Sequence, residues 1–202
     1  MIAIIDYGSS NVASITNALN YLSNDYTIIK HGCDMENFSK FILPGVGSFK
    51  FAMDNLKKKN FIDPIKEIPN KPNNSILGIC LGMQLFYSWS EEDGGCKGID
   101  LIKGKVIKIN NNNLPVPNTG WRKCNVIGNN NLFKNIEENP IFYFVHSYGC
   151  HAENKLLVTS TIDYGSTIDS SFNFLNLYGT QFHPEKSQKI GLELLKNYVD
   201  LL

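Results

Sequence analysis

The stretch that decides the fold runs Ile76-Leu77-Gly78-Ile79-Cys80-Leu81-Gly82-Met83-Gln84. It starts as a short apolar run typical of a buried strand and continues as a helix. Between them, Gly78-x-Cys80-x-Gly82 is the thiol version of the nucleophile elbow, a strained turn that needs glycine on both sides of the nucleophile. At a helix N-terminus the dipole favours thiolate, and free N–H groups bind an oxyanion. Cys80 is therefore a candidate nucleophile, with an ordinary buried cysteine as the alternative.

A second segment supplies the partners that a thiolate nucleophile needs, a base and an orienting group. It reads Tyr178-Gly179-Thr180-Gln181-Phe182-His183-Pro184-Glu185, and it places His183 at the end of an apolar strand. Pro184 fixes the backbone between His183 and Glu185. Glu185 is then placed to accept a hydrogen bond from one ring nitrogen while the other faces Cys80. The two segments together predict a Cys80–His183–Glu185 triad.

A third segment, Leu43-Pro44-Gly45-Val46-Gly47-Ser48-Phe49, is a glycine-rich turn after an apolar strand. Such a turn beside the elbow is placed to give a second backbone N–H to an oxyanion hole. The alternative is a loop that cradles a phosphate. The segment lacks Gly-Lys-Ser/Thr and so is not a Walker A motif.

The order of apolar runs predicts one α/β domain over residues 1–202. In the first half, strands at 2–5, 26–29, 41–43 and 75–79 alternate with helices at 11–22, 49–58 and 81–89. This alternation favours a parallel sheet covered on both faces. In the second half, strands at 106–109, 141–145, 156–161 and 177–182 have short polar connections, and an amphipathic helix covers 188–202. The second half is therefore predicted to be antiparallel, with the asparagine runs at loop tips.

Composition excludes several classes of function. The 202 residues carry 19 Lys+Arg and 19 Asp+Glu, and this neutral balance lacks the basic footprint of a nucleic-acid binder. No apolar run reaches the roughly 18 residues that span a membrane, and the N-terminus carries no basic signal region. Five cysteines without a CxxC pair argue against a disulfide framework and a zinc site, and fit a reducing cytoplasm. We expect no metal, cofactor, nucleic-acid or membrane partner.

The ordered motifs resemble those of the class I (triad) glutamine amidotransferases over nearly the whole chain. Beyond the three segments above, the pattern includes Asp6-Tyr7-Gly8, Ser90-Glu91-Glu92, Gly120-Trp121 and Tyr143-Phe144-Val145-His146-Ser147-Tyr148. Within the class it is most similar to the glutaminase subunits of imidazole glycerol phosphate synthase. The resemblance implies a flavodoxin-like three-layer α/β fold with a mixed, mostly parallel central sheet.

The resemblance also implies a function and a set of residue roles. Cys80 attacks the side-chain amide of L-glutamine, His183 handles the protons, and Glu185 orients His183. The oxyanion donors are the backbone N–H groups of Leu81 and of the Gly47 turn. Glutamine contacts are assigned to Gly47, Gln84, Ser147 and Tyr148. The ammonia passes to a (β/α)8-barrel cyclase subunit of a heterodimer in histidine biosynthesis, and the residues implied for that interface are Trp121, Arg122, Tyr143 and Lys186.

Two segments depart from the family pattern. Ser10 stands where the family usually has glycine, and residues 117–122 read Pro-Asn-Thr-Gly-Trp-Arg where the histidine-pathway enzymes usually read P-H-M-G-W-N. Arg122 is also the single arginine of the chain. An arginine there suggests pairing with a partner carboxylate or stacking on an aromatic ring.

The departure at residues 117–122 leaves other functions open. One is a paralogous subunit that supplies ammonia for amidination of an amino sugar in surface polysaccharide biosynthesis. A catalytically silent scaffold and a cysteine peptidase or related thiol hydrolase are further alternatives. The complete set of Cys80, His183 and Glu185 argues against the scaffold, and the Gln181–Ser187 string argues against the hydrolase.

Overall fold

The fold is organised around a mixed sheet whose middle strands are the apolar runs of the sequence. A computed structural model of the chain describes residues 1–8, 11–110 and 114–201. Ser10, residues 111–113 of the asparagine run and Leu202, on which the sequence placed expectations, lie outside the described residues. Within the described ranges the sheet contains twelve strands, and a separate two-stranded ribbon accompanies it.

The first half of the chain forms a parallel sheet, as predicted. Its strands are β1 (Ile2–Ile5), β2 (Tyr26–Ile29), β3 (Lys40–Leu43) and β4 (Ser75–Ile79). The helices between them are α1 (Val12–Tyr21), α2 (Phe49–Lys58) and the short α3 (Ile62–Lys66). The strand order is β2-β1-β3-β4, and every pairing in this series is parallel.

A short helix and four strands follow the elbow. These elements are α4 (Leu81–Leu85), β5 (Tyr87–Ser90), β6 (Cys96–Lys97), β7 (Ile102–Lys108) and β8 (Asn118–Lys123). The remaining strands are β9 (Asn125–Val126), β10 (Ile141–His146), β11 (Tyr148–Ala152), β12 (Val158–Asp163), β13 (Thr167–Phe174) and β14 (Leu177–Thr180). Helix α5 (Gln188–Val199) ends the described chain.

The second half joins the sheet mainly by antiparallel pairs, which confirms the prediction. Strand β14 pairs in parallel with β4, and the sheet continues through β13, β11 and β7 by antiparallel pairing. Within the part of the chain that the structure describes, strands β8 and β10 pair only with each other and form the antiparallel ribbon, with Trp121 opposite Tyr143. The α/β class with a mixed central sheet is therefore correct.

Alternating side chains of the middle strands fill two cores, one on each face of the sheet. Ala3 and Ile5 pack with helix α2, whereas Ile2 and Ile4 pack with helices α1 and α5. This period of two is what a strand buried on both faces requires. The sheet therefore lies between two helical layers, as the resemblance implied.

One helix prediction was wrong in its extent. Residues 81–89 were predicted to form one helix, but α4 ends at Leu85 and Tyr87–Ser90 is a strand. Tyr87 pairs with Ile102 of β7 and its buried ring lies edge-on to Phe172. Burial and strand pairing made by distant residues override the local helical pattern here. Smaller corrections concern α5, which ends at Val199, and β12, which begins at Val158 after a turn at Lys155–Leu157.

Candidate active site

The site lies where three parallel strands end at the same edge of the sheet. Strand β3 leads into the Pro44–Gly47 turn, β4 leads into Cys80, and β14 leads within three residues to His183. Because β3, β4 and β14 are parallel neighbours, their carboxyl ends bring these segments together.

Cys80 occupies a strained turn between β4 and α4. Its backbone has φ 53° and ψ −107°, a conformation that is costly for a residue with a Cβ atom. A Cβ atom on Gly82 would lie 1.9 Å from the carbonyl oxygen of Leu43, and one on Gly78 would lie 2.6 Å from the carbonyl oxygen of Gly82. The two glycines are therefore required by the close packing of the turn on its neighbours.

His183 and Glu185 form a buried pair. Their side chains are both fully buried, and Nδ1 of His183 lies 2.7 Å from Oε1 of Glu185. Oε1 also accepts a hydrogen bond of 2.6 Å from Nδ2 of Asn11, which stands at the start of α1. The backbone N–H of His183 donates to the carbonyl of Tyr143 in the ribbon at 2.9 Å. The ring is thus held through Nδ1, and the backbone that carries it is fixed to the ribbon.

The electrostatics of His183 favour its charged form. Burial acts to lower the pKa of His183, but the neighbouring Cys80 and Glu185 outweigh it and raise the pKa to about 10. Within the described part of the chain, Nε2 of His183 and Oε2 of Glu185 are buried without a hydrogen-bond partner. Nε2 is therefore free to exchange a proton with a group that arrives beside Cys80.

Cys80 opens into a cavity of about 340 Å³. The residues that line it are Val46, Gly47, Cys80, Leu81, Gln84, Glu92, Pro117, Val145, His146, Ser147 and Tyr148. The cavity thus brings together all the residues that the resemblance assigned to the oxyanion hole and to glutamine. His183 and Glu185 are not among the lining residues.

The hydrogen-bonded amide side chains of Gln84 and Gln181 connect the cavity wall with the sulfur of Cys80. Nε2 of Gln84 lies 3.0 Å from the carbonyl oxygen of Tyr148 and 3.0 Å from Oε1 of Gln181. Nε2 of Gln181 lies 3.6 Å from the sulfur of Cys80. The side chain of Gln84 is consequently held in place before any ligand binds.

His146 is a second buried histidine at the cavity, with a different environment. Its Nδ1 lies 2.8 Å from the carbonyl oxygen of Tyr148, and its Nε2 lies 3.0 Å from Nδ2 of Asn118. Burial, with smaller contributions from His183 and Arg122, lowers the pKa of His146 to about 4. The imidazole is therefore neutral at physiological pH.

The four residues assigned to an interface lie on or near the ribbon. Trp121 is exposed, and its ring is 5.8 Å from that of Tyr143, in an edge-on arrangement. Lys186 is exposed in the turn after His183. The guanidinium of Arg122 is engaged within its own chain, with Nε 2.9 Å from Oδ1 of Asn118 and the group stacked 5.0 Å from the ring of Tyr164. The stacking that the sequence suggested for Arg122 is thus made inside the chain.

Sequence reasoning missed three side chains of the site. Asn11 bonds Glu185 across 174 positions, Gln181 reaches Cys80, and Glu92 lines the cavity. Oε2 of Glu92 accepts a hydrogen bond of 2.8 Å from the backbone N–H of Phe49. Each of the three stands in or directly beside a quoted motif, so the motifs carried the signal although the roles were not assigned.

The described residues provide neither a metal site nor a membrane-spanning helix. They contain no group of three or more His, Cys, Asp or Glu side chains able to hold a metal ion. Among the helices described, none is long and apolar enough to cross a membrane.

The fold and the site define the class of protein. A sequence profile of the class-I glutamine amidotransferases matches residues 3–201. The chain belongs to this family.

Curated relatives narrow the comparison. The imidazole glycerol phosphate synthase subunit HisH 1 of Campylobacter jejuni (strain RM1221) is 40% identical over 202 residues, which cover 100% of both chains. The HisH subunit of Chlorobaculum tepidum is 38% identical, with 99% of this chain and 100% of that protein covered. That of Buchnera aphidicola is 42% identical, with 99% of each covered.

Solved structures share the fold. A crystal structure described as a glutamine amidotransferase matches with a TM-score of 0.77 at 12% identity, covering 99% of this chain and 97% of that one. A structure of PurLQS from Thermotoga maritima matches with a TM-score of 0.72 at 14% identity and the same coverage. At these identities the likeness concerns the fold alone.

Proposed function

We propose that this chain is the glutaminase subunit of imidazole glycerol phosphate synthase and hydrolyses L-glutamine through Cys80, His183 and Glu185. The observation that carries the proposal is the placement of Cys80, on a strained turn that opens into a cavity, beside the buried His183–Glu185 pair. The full-length relatives that carry this subunit name support the acceptor pathway.

The first chemical step is attack of the sulfur of Cys80 on the side-chain carbonyl carbon of glutamine. The raised pKa of His183 keeps the imidazole protonated beside the attacking sulfur. The attack forms a C–S bond and leaves a negative charge on the carbonyl oxygen. Leu81 offers the first N–H of α4, which has no acceptor within the helix, and the Gly47 turn borders the same cavity. Each such donor contributes about 3 kcal/mol.

The second step releases ammonia. His183 donates its Nε2 proton to the departing nitrogen as the C–N bond breaks, and a glutamyl thioester remains on Cys80. His183, now neutral, takes a proton from water, which attacks the thioester and releases glutamate. Glu185, itself held by Asn11, keeps the ring oriented through both transfers.

The cavity supplies groups that suit the remainder of glutamine. Gln84, Ser147 and Tyr148 offer polar atoms on one wall, and the Glu92 carboxylate is an acidic group placed to face the α-ammonium. Gln84 is held by Tyr148 and Gln181, so little conformational entropy is lost when the substrate binds.

The ribbon is the surface we propose for the (β/α)8-barrel cyclase partner. Trp121, Arg122, Tyr143 and Lys186 are the residues we assign to it. A depression of about 560 Å³ beside Trp121 is also lined by the exposed Ile141, an apolar rim that suits a protein partner. The carbonyl of Tyr143 accepts a hydrogen bond from the backbone N–H of His183. A docked partner would therefore contact a strand that is bonded to the catalytic histidine.

The proposal includes one domain over residues 1–202, a cytoplasmic location, and a heterodimer in which ammonia passes to the cyclase without leaving it. The altered segment at residues 117–122 was the reason to consider an amidotransferase of surface polysaccharide synthesis. The full-length relatives named above do not favour that alternative.

The direct test uses the chain in complex with its cognate barrel subunit. Cys80→Ala should reduce glutamine-dependent synthesis by at least about 10³-fold, because the nucleophile is removed. Synthesis from ammonium chloride should continue at the rate of the unchanged complex. Cys33→Ser, which replaces an exposed thiol, is the matched control and should alter neither rate. Loss of both rates in Cys80→Ala would contradict ammonia transfer between the subunits.

A genetic test addresses the acceptor. The gene, expressed with its cognate barrel partner in a strain that lacks the histidine-pathway glutaminase, should restore growth without histidine. Soluble, glutaminase-active protein that fails to restore growth would exclude the histidine pathway while leaving the glutaminase chemistry in place.

A further inference from the structure

A continuous series of hydrogen bonds runs from the surface of the ribbon to the cavity. It begins at Arg122, whose Nε lies 2.9 Å from Oδ1 of Asn118. It continues from Nδ2 of Asn118 to Nε2 of His146 at 3.0 Å, and from Nδ1 of His146 to the carbonyl of Tyr148 at 2.8 Å. The same carbonyl receives the amide of Gln84 at 3.0 Å. Arg122 is thus connected through Asn118, His146 and the Tyr148 carbonyl to Gln84, which lines the cavity.

The chemistry of the two ends fixes the direction of every bond in this series. Arginine can only donate, so the oxygen of Asn118 faces Arg122 and its NH₂ group faces His146. Nε2 of His146 therefore accepts, which leaves the ring proton on Nδ1. A carbonyl oxygen can only accept, and this is the bond that Nδ1 of His146 makes to Tyr148. Donors and acceptors match throughout for a neutral imidazole.

The series is rigid as well as matched. Asn118 is fully buried and His146 is nearly so. Arg122 is held by three further contacts: its two terminal nitrogens lie near the carbonyls of Trp121 and Thr119, at 3.1 Å and 3.3 Å, and its plane stacks on Tyr164. This arrangement needs a planar guanidinium group with several N–H donors, which lysine lacks.

The departure of residues 117–122 from the family pattern has a structural meaning here. Asn118 and Arg122 stand at two of the positions that differ, and their side chains bond each other. These two residues are hydrogen-bonded to each other, and through Asn118 they contact His146 in the interior.

We propose that Arg122 and Asn118 are positioning residues that act through His146 to hold the Tyr148 carbonyl and the Gln84 amide in the geometry that binds glutamine. This inference rests on the proposed glutaminase function. Without the outer bonds, the imidazole can turn, the Tyr148 carbonyl loses one of its two donors, and the Ser147–Tyr148 wall shifts away from the substrate. Cys80 and the His183–Glu185 pair stay in place, so substrate binding weakens more than the chemistry slows.

The test compares Arg122→Ala and Arg122→Lys with Lys123→Ala, an exposed position on the same strand. Kinetics are measured at saturating barrel partner, so that weaker association does not enter the constants. Both Arg122 variants should raise KM for glutamine about tenfold, the effect of one charge-assisted hydrogen bond. Their kcat, and the rate of Cys80 alkylation by iodoacetamide, should stay within about twofold of the parent. Lys123→Ala should change none of the three.

A double variant separates positioning from general loosening. Because Arg122 acts through His146, Arg122→Ala added to His146→Gln should raise KM no further than His146→Gln alone. Additive effects, an unchanged KM in the Arg122 variants, or parallel losses in KM, kcat and alkylation would each overturn the positioning role. Absence of glutamine hydrolysis in the parent chain would overturn both proposals, whereas normal parent kinetics with unchanged Arg122 variants would overturn only this one.

Discussion

His183 and His146 are buried to nearly the same degree, but their pKa values are shifted in opposite directions. Both imidazoles bond an oxygen through Nδ1, at 2.7 Å in His183 and 2.8 Å in His146. The oxygen belongs to the Glu185 carboxylate in one case and to the neutral Tyr148 carbonyl in the other. The second nitrogen faces Cys80 in His183 and the amide of Asn118 in His146.

The charge of these neighbours, rather than burial, decides the protonation state. Burial lowers the pKa of both rings. Around His183, Cys80 and Glu185 reverse this and raise the pKa to about 10, whereas around His146 the pKa stays near 4. His183 is thereby suited to carry a proton, and His146 is suited to be a fixed neutral link. Variants at the two histidines and at their partners test this contrast.

Removing each imidazole should have the largest and most unequal effect. His183→Asn should lower kcat for glutamine hydrolysis about 10³-fold, because no other group is placed to move the proton. His146→Gln should lower kcat by less than about tenfold and act mainly on KM. Glutamate release by the complex measures both. Equal losses of kcat in the two variants would contradict the division of roles.

Neutralising the carboxylate should have the next largest effect. Glu185→Gln keeps the size of the side chain but replaces a charged acceptor beside His183, so kcat should fall about 10²-fold. The pKa of His183 should fall as well, because Glu185 is one of the groups that raise it. A kcat within twofold of the parent would show that Glu185 does not orient or charge the ring.

The pH dependence of stability should have opposite sign for the two residues. His146 has a folded pKa below its unfolded value of about 6.5, so its contribution to stability is present above pH 6.5 and lost as the pH falls towards 4. That loss amounts to at most about 3 kcal/mol and should disappear in His146→Gln. His183 has a raised folded pKa, so its contribution is present below pH 6.5 and lost as the pH rises towards 10.

Urea unfolding of the parent chain and of the two variants between pH 4 and pH 10 measures this contrast. Lys123→Ala should follow the parent over the whole range and serves as the control. Parallel profiles in the parent and in both histidine variants would show that neither ring has a shifted pKa.

Removing the support behind Glu185 should have the smallest effect. Asn11→Ala deletes the 2.6 Å hydrogen bond to Oε1, so kcat should fall about tenfold or less while His183 keeps its partner. Asn17→Ala, at an exposed position of the same helix, is the matched control. A loss as large as that of Glu185→Gln would mean that Asn11, not the carboxylate, governs the ring.

The central strands of the parallel half were predictable because they are buried on both faces. Strands β1 and β4 have the bounds that the apolar runs predicted, and so do the partly exposed edge strand β2 and helix α2. A strand buried on two faces is apolar at nearly every position, and turn residues mark its ends. Local sequence is sufficient in such a case.

Strand β13 could not be predicted in the same way, because its buried positions are partly polar. Ser170 and Ser171 of β13 are fully buried and share hydrogen bonds with Ser160 of β12 at 2.7 Å and 2.6 Å. A buried hydroxyl is acceptable only when a distant residue supplies its partner, and the sequence does not display that pairing. Hydrophobic periodicity therefore fails where burial depends on long-range hydrogen bonds.

The same limit separates the site residues that were named from those that were missed. His183 and Glu185 are two positions apart, so the sequence presents them as a pair. Asn11 reaches Glu185 from 174 positions away, and Asn118 meets His146 across the two strands of the ribbon. These contacts exist only after folding. Both members of each pair lie in or beside recognised motifs, but the sequence does not show that they pair.

The contact at Gly82 sets a limit on how this site can diverge. A Cβ atom at position 82 would lie 1.9 Å from the Leu43 oxygen, and one at Gly45 would lie 2.8 Å from the Gly82 nitrogen. The backbones of the nucleophile turn and the glycine-rich turn are therefore in direct contact. A side chain at Gly45 or at Gly82 would push the two turns apart. Lineages that keep glutamine chemistry must inherit the two turns together, while the ribbon, free of this contact, is where new partners can be acquired.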